Sequence, residues 1–162
     1  MPTVLITGGT GMIGTALSRH LLNQGYDVII LSRNPVQTAS VYKTSSSQNS
    51  FRPSGNIFYA RWDTDKKMID PQAIAKADHI VHLAGEGVAK KRWTKKRKEE
   101  IRLSRTKSSD LLFNCLSSQP NKVKSVISAS AIGWYGPDQG KVFTEEDPSA
   151  NDFLGQTCKS WE

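Results

Sequence analysis

The chain has 162 residues, a formal net charge of +7 and 37% hydrophobic residues. That length suits one domain with a sizeable core, and no apolar run is long enough for a membrane-spanning helix. The two cysteines, Cys115 and Cys158, have no metal-ligand spacing and read as reduced thiols rather than a disulfide, which points to a cytoplasmic compartment.

Thr3 to Thr7 predicts a buried parallel strand. The N-terminus runs straight into it, with no basic n-region and no signal-peptide pattern. Residues 7 to 14 then read Thr-Gly-Gly-Thr-Gly-Met-Ile-Gly. Met12 to Gln24 predicts a helix with Ile13, Leu17, Leu21 and Leu22 on one side and Gly25 as C-terminal cap. Asp27 to Leu31 predicts a second strand. Residues 34 to 56 are rich in Ser, Thr, Asn and Gln and carry no acid, which reads as a mobile surface insertion.

Ile57 to Trp62 predicts a third strand. A short helix follows over Pro71 to Ala77, with Asp70 as cap and Pro71 at its first position. His79 to Leu83 is the fourth strand, Thr94 to Leu116 a long helix, and Lys124 to Ser128 the fifth strand. Residues 131 to 151 read as loop, and Asp152 to Glu162 begins another helix. This alternation predicts a doubly wound, three-layer α/β fold, with right-handed crossovers giving a parallel sheet in the order 3-2-1-4-5.

The glycine-rich stretch combines Gly9-x-Gly11-x-x-Gly14 with Gly8-x-x-Gly11-x-x-Gly14. Between an apolar strand and an amphipathic helix, that pattern points to a dinucleotide. Gly8 or Gly9 permits the tight turn, Gly11 lets a pyrophosphate approach the backbone, and Gly14 lets helix and strand pack closely. The helix N-terminus offers free N–H groups to the phosphates. A Walker P-loop does not fit, because no Gly-Lys-Ser/Thr follows.

The second strand ends Leu31-Ser32-Arg33-Asn34, with no acid to take a ribose 2′-hydroxyl. Arg33 can instead pair a 2′-phosphate through its guanidinium fork, and Ser32 can add a hydrogen bond. These residues favour NADP over NAD.

Further motifs carry a family resemblance. The glycine turn, Arg61-Trp62-Asp63, and Leu83-Ala84-Gly85 at the end of the fourth strand resemble the extended short-chain dehydrogenase/reductase superfamily. Glu86, Lys91-Arg92-Trp93-Thr94, Arg97-Lys98, Ile101, Ser104-Arg105 and residues 128–136 (Ser-Ala-Ser-Ala-Ile-Gly-Trp-Tyr-Gly) narrow it to an atypical epimerase-family subgroup. That subgroup is NAD-dependent epimerase/dehydratase-like and sugar-nucleotide epimerase-like. The resemblance covers the chain except residues 34 to 56. It implies a Rossmann NAD(P)-binding domain over residues 1–162 and an oxidoreductase or epimerase-like activity on a small, sugar-related molecule. Gly8, Gly11, Met12, Ile13 and Gly14 would line the pyrophosphate, Arg33 the adenosine phosphate, Asp63 the adenine, and Leu83, Ala84 and Gly85 the adenosine and ribose. Ser130 falls near the superfamily's active-site serine, with Ser128 as the alternative.

The superfamily's Tyr-x-x-x-Lys pair places a proton-donating phenol beside a lysine on one helix face. Aligned on the last helix, those positions hold Leu154 and Cys158, or Phe153 and Thr157 with a shift of one. None of these pairs supplies that acid/base couple. Ser130 and Tyr135 are the candidate catalytic contacts, with Glu86 as a third. The alternative is a dinucleotide-binding sensor or scaffold without turnover.

The sequence stops inside a helix, before the C-terminal substrate region that the resemblance would add, which reads as a fragment, a truncated gene product or a naturally short relative. Leu154 and Trp161 are then expected to lack packing partners and to favour association between copies.

Residues 86 to 107 hold ten Lys or Arg against three Glu, and the rest of the chain has twelve of each sign. This reads first as a solvated helix face and second as contacts to an anionic substrate or cofactor; no nucleic-acid motif accompanies it, and only Trp93 could stack on a base. His20, His79 and His82 do not form a metal set, since His79 and His82 fall on opposite faces of one strand.

Overall fold

The computed structural model describes residues 1–38, 54–89 and 91–162. Alternating apolar residues decide its layers. In β1 (Thr3–Thr7), β2 (Asp27–Ser32), β3 (Ile57–Asp63) and β5 (His79–His82), successive side chains point to opposite faces of the sheet. Val4, Ile6, Val28 and Ile30 therefore meet Leu17, Leu21 and Leu22 of α1 (Met12–Asn23) on one face. Leu5, Ile29, Leu31, Trp62 and Ile80 meet Ala73 and Ile74 of α2 (Pro71–Lys76) and Leu111, Leu112 and Cys115 of α3 (Lys95–Ser118) on the other.

With β4 (Met68–Ile69) and β6 (Ser125–Ser128) at its edges, the sheet has six strands in the order β4-β3-β2-β1-β5-β6. The five longer strands are parallel, in the predicted order. The addition is β4 (Met68–Ile69), which returns antiparallel on β3 with Trp62 opposite Ile69. A two-residue strand leaves too short a hydrophobic pattern to read from sequence. At the other edge, β6 (Ser125–Ser128) pairs with β5, and Val126 and Ile127 are 49% and 61% exposed.

Asp78 ties the sheet together at the N-terminal end of β5. Its carboxylate accepts from Thr3 N at 2.9 Å and Lys122 Nζ at 3.0 Å. Those bonds hold its pKa below the ordinary carboxylate value. The last helix is α4 (Phe153–Trp161), preceded by a 3-10 turn at Ile132–Trp134.

Helix starts follow local chemistry. Asp70 accepts from Gln72 N at 2.9 Å, Thr94 from Arg97 N at 3.2 Å, and Asp152 from Gly155 N at 2.8 Å. Residues 35–38 are helical rather than loop, because Asn34 Oδ1 accepts from Gln37 N at 3.3 Å and Pro35 suits a first helical position. The rest of the segment read as an insertion, residues 39–53, lies outside the described residues. The exception is α1: its cap is Gly11, with no side-chain bond and no acid in the first turn.

Candidate functional site

The parallel strands β1, β2 and β5 end together, and the cavity lies there, where a doubly wound sheet places ligands. It has a volume of about 620 Å³. Gly8, Gly11, Ser32, Arg33, Leu83, Ala84 and Gly85, all singled out from sequence, line it.

The glycines divide the work. Gly8 has φ +68°, and a Cβ there would lie 2.8 Å from the carbonyl carbon of Leu83. Gly14 lies where α1 presses on the turn: its Cβ would fall 2.7 Å from Gly9 Cα and closer still to Gly8 O. Gly11 is different. A Cβ there meets only Gly8 O, at 3.3 Å, so absent side-chain bulk leaves open cleft rather than close protein packing. Met12 and Ile13 are 87% and 63% exposed and do not line the cavity through their side chains. What they bring is backbone: no described group accepts from their N–H, as expected for a helix start without a side-chain cap. The first amide of this turn with a helical partner is Thr15 N, on Gly11 O at 2.9 Å.

At the β2 end, Ser32 Oγ accepts from Asn34 N at 3.1 Å and lies 2.6 Å from Thr38 Oγ1, which donates to Asn34 O at 2.9 Å. Arg33 is exposed and has no ion pair or hydrogen bond among the described residues. Asp63 faces elsewhere: its Oδ1 accepts from Asp65 N and Lys66 N, both at 3.1 Å, and closes the β3–β4 turn. Trp62 and Thr64 line that part of the cavity.

The opposite wall hangs on Thr7. Its Oγ1 accepts from Leu83 N and Ala84 N, each at 3.1 Å, and lies 2.7 Å from His82 Nδ1. With two donors already directed at Thr7 Oγ1, its proton goes to Nδ1, so His82 carries its own proton on Nε2 and donates it to Ser108 Oγ at 3.1 Å. Burial pushes the His82 pKa down to about 4. This buried chain of hydroxyls and a neutral imidazole holds the Leu83–Gly85 turn, a structural role for His82 whose partners Thr7 and Ser108 the sequence did not indicate.

Two arginines of the basic segment turn inward, against the expectation of a solvated face. Arg97 is 7% exposed. It bonds Glu86 and Glu100, each at 3.1 Å, and Gly87 O at 2.7 Å. The Glu100 bond, then that to Glu86, holds its pKa up. Arg105 lies over Gly85, with Nη1 donating to Glu86 O at 3.1 Å and Ile101 O at 3.2 Å. Helical spacing from Arg97 to Arg105 was the available signal; charge counting hid it.

A smaller cavity of about 100 Å³ shares Leu83, Ala84 and Gly85 with the large one and adds Arg105, Ser128, Ser130 and Trp161. Ser130 Oγ donates to the Glu162 carboxylate. Tyr135 lines neither cavity and stacks on Phe143, with ring centroids 4.9 Å apart. Leu154 packs at Gly133, Cys158 is buried with Sγ 3.9 Å from Ala131 O, and Trp161 donates to Ala129 O at 3.2 Å. Leu154 and Trp161 thus have partners, contrary to expectation, and Glu162 is a polar neighbour of Ser130 that the motif alignment did not single out.

Both cysteines are free and buried. Among the described residues, no group of three or more His, Cys, Asp or Glu could hold a metal ion, and no helix is long and apolar enough to cross a membrane.

Residues 4–157 match the model of the NAD dependent epimerase/dehydratase family. Epimerase family protein YfhF of Bacillus subtilis is 33% identical over 160 residues, covering 98% of this chain and 48% of that protein. The chain spans about half the length of the curated relatives it matches. Among solved structures, human epimerase family protein SDR39U1 (isoform 2) with NADPH is 25% identical, with a TM-score of 0.72 over 98% of this chain and 47% of the other. The nucleoside-diphosphate sugar epimerase from Corynebacterium glutamicum is 32% identical, with a TM-score of 0.70 over 99% of this chain and 30% of the other.

Proposed function

The chain belongs to the NAD dependent epimerase/dehydratase family, and on that premise we propose that its large cleft binds a nicotinamide dinucleotide, NADP in preference to NAD. The observation that carries this is the uncapped start of α1 at one end of the cleft, with Arg33, which has no ion pair among the described residues, at the other. The free amides of Met12 and Ile13, beside Gly11, would hold the diphosphate, where N–H groups and the helix dipole favour negative charge. Arg33 and Ser32 would hold the 2′-phosphate, and the Leu83–Gly85 turn the ribose. The human structure with NADPH supports the same reading.

The complete protein is then an oxidoreductase or epimerase-like enzyme acting on a small molecule, a reading that the Corynebacterium glutamicum relative supports. Bound reduced nicotinamide would supply the hydride. The chain's own part is to orient it and to offer hydroxyls such as Ser130, beside Glu162, for a proton. Two buried free thiols are consistent with a reducing, cytoplasmic setting.

A second reading, dinucleotide binding without turnover, is favoured by Leu154 and Cys158 standing where the Tyr-x-x-x-Lys pair would be. NADPH oxidation over a panel of carbonyl substrates by the full-length protein separates the two. NADPH fluorescence titration tests the binding that both share. Arg33→Ala is expected to weaken NADPH by about tenfold or more, the size of one charge-assisted bond, and to leave NADH within about threefold. Equal losses for both coenzymes would remove Arg33 from the 2′-phosphate.

A further inference from the structure

We propose that the Asp65–Lys107 ion pair sets how strongly the cleft prefers a coenzyme with a 2′-phosphate: Lys107 is a second cation for that phosphate beside Arg33, and Asp65 is the group that the phosphate must displace from it. This deepens the nucleotide reading of the large cleft and rests on it.

The pair joins two walls of that cleft. Lys107 Nζ donates to Asp65 Oδ1 at 2.6 Å, across 42 positions of sequence. On α3, Lys107 stands three residues after Ser104, so the two are neighbours on one helix face, and Ser104 and Ser108 both line the cleft. On the facing wall, Asp65 follows Thr64, which lines it too. The backbone there is fixed, because Asp63 Oδ1 accepts from Asp65 N and Lys66 N. Both paired side chains are open to solvent, Asp65 at 79% and Lys107 at 43%, so an anion can reach them. Arg33 lines the same cleft. The Asp65 carboxyl is held below the ordinary carboxylate pKa first by the Lys107 bond, then by the Lys107 charge, with the Arg33 charge adding to both. One carboxylate thus stands in the field of two cations that come from different elements.

Charge selects the ligand group. A phosphate monoester carries about −1.5 to −2 at neutral pH, which two cations match and a single arginine does not. Lys107 can serve it only by leaving Asp65, and Asp65 then repels it. A ribose 2′-hydroxyl is neutral and does not part the pair. Lys107 therefore favours NADP, Asp65 opposes it, and neither acts on NAD. Both groups are solvated, so each effect has the size of an exposed ion pair, about two- to fivefold in affinity.

Titrations of NADPH and NADH into the parent and two variants test this. Asp65→Asn should tighten NADPH by about threefold, and Lys107→Met should weaken it by about threefold, with NADH unchanged in both. The differences should vanish in about 1 M NaCl, where the screening length is about 3 Å. Loss of NADPH affinity in Asp65→Asn, or equal changes for both coenzymes, would show a strap between the walls instead. Unchanged NADPH affinity in both variants would show a surface contact only. Each of these results overturns the roles given to Asp65 and Lys107. The unaltered protein gives an independent readout: adenosine 2′,5′-bisphosphate should shift the Lys107 ¹³Cε resonance saturably and 5′-AMP should not, and equal shifts or none would likewise overturn them. A parent that ignores NADPH defeats the coenzyme reading as well, whereas NADPH binding with these arms unmoved defeats the ion-pair roles alone.

Discussion

Gly14→Ala is expected to lower the unfolding free energy by about 3 kcal/mol, seen as a fall in midpoint temperature of roughly 10 °C for a chain of this size. Two effects oppose each other. Within a helix, alanine is favoured over glycine by about 1 kcal/mol. Against that, the new Cβ would overlap Gly8 O and stand 2.7 Å from Gly9 Cα. Both obstacles are backbone, so no side chain can rotate away, and α1 must lift from β1 and give up part of the packing of Leu17, Leu21 and Leu22 on Val4 and Ile6. Sterics win on these magnitudes.

Gly11→Ala is the matched control. Its Cβ meets only Gly8 O at 3.3 Å, so the stability cost stays below about 1 kcal/mol, yet the methyl stands where the diphosphate would rest and NADPH binding should fall by about tenfold or more. Thermal unfolding and NADPH fluorescence on both variants check the pair. A Gly14→Ala protein more stable than its parent would show that the turn and helix are not in close contact.

The second large effect is on acid stability. His82 is buried and neutral in the fold, with its pKa pushed down by burial to about 4, while the unfolded chain takes up the proton near the ordinary histidine value of 6.5. Between those values the unfolded state binds more protons, so stability falls as pH drops from about 6.5 to about 4. A shift of this size corresponds to roughly 3 kcal/mol. Asp78 and Asp147, whose carboxylates are held below their ordinary pKa, lose their contributions only in more acidic solution, so the windows separate.

Protonation would also place an N–H on Nδ1, facing the Thr7 hydroxyl that holds Leu83 N and Ala84 N. NADPH affinity of the folded protein should therefore weaken only as the pH approaches about 4, where His82 itself takes up a proton. Urea unfolding at pH 7 and pH 4.5 should show a smaller difference for His82→Gln than for the parent. An unchanged difference would mean that His82 does not carry the titration.

Part of this site was legible in the order of residues. Thr7 to Gly14 sits between an apolar run and an amphipathic one, and local rules of turn geometry suffice to read a tight glycine turn at a helix start there. Arg33, with no acid beside it, is equally local. The second cavity was not legible. Arg105 was counted with nine other cations as a surface charge, Trp161 was read as lacking a partner, and Ser130 was ranked by alignment alone. Their convergence joins residues far apart in sequence, through the packing of α3 and α4 beside β5 and β6. His82 shows the same divide: its strand was predicted, while its neutral, Nε2-protonated state follows only from Thr7 and Ser108 meeting it across the core.

By itself the sequence determined the layered α/β sheet, its parallel strand order and the glycine turn, because alternation of apolar residues and backbone sterics act over a few neighbouring positions. Tertiary structure alone decided which cations are buried, which hydroxyls share a proton with His82, and which residues wall the second cavity. Those properties depend on desolvation and on partners brought within a few ångströms by long-range packing, and no local pattern encodes them.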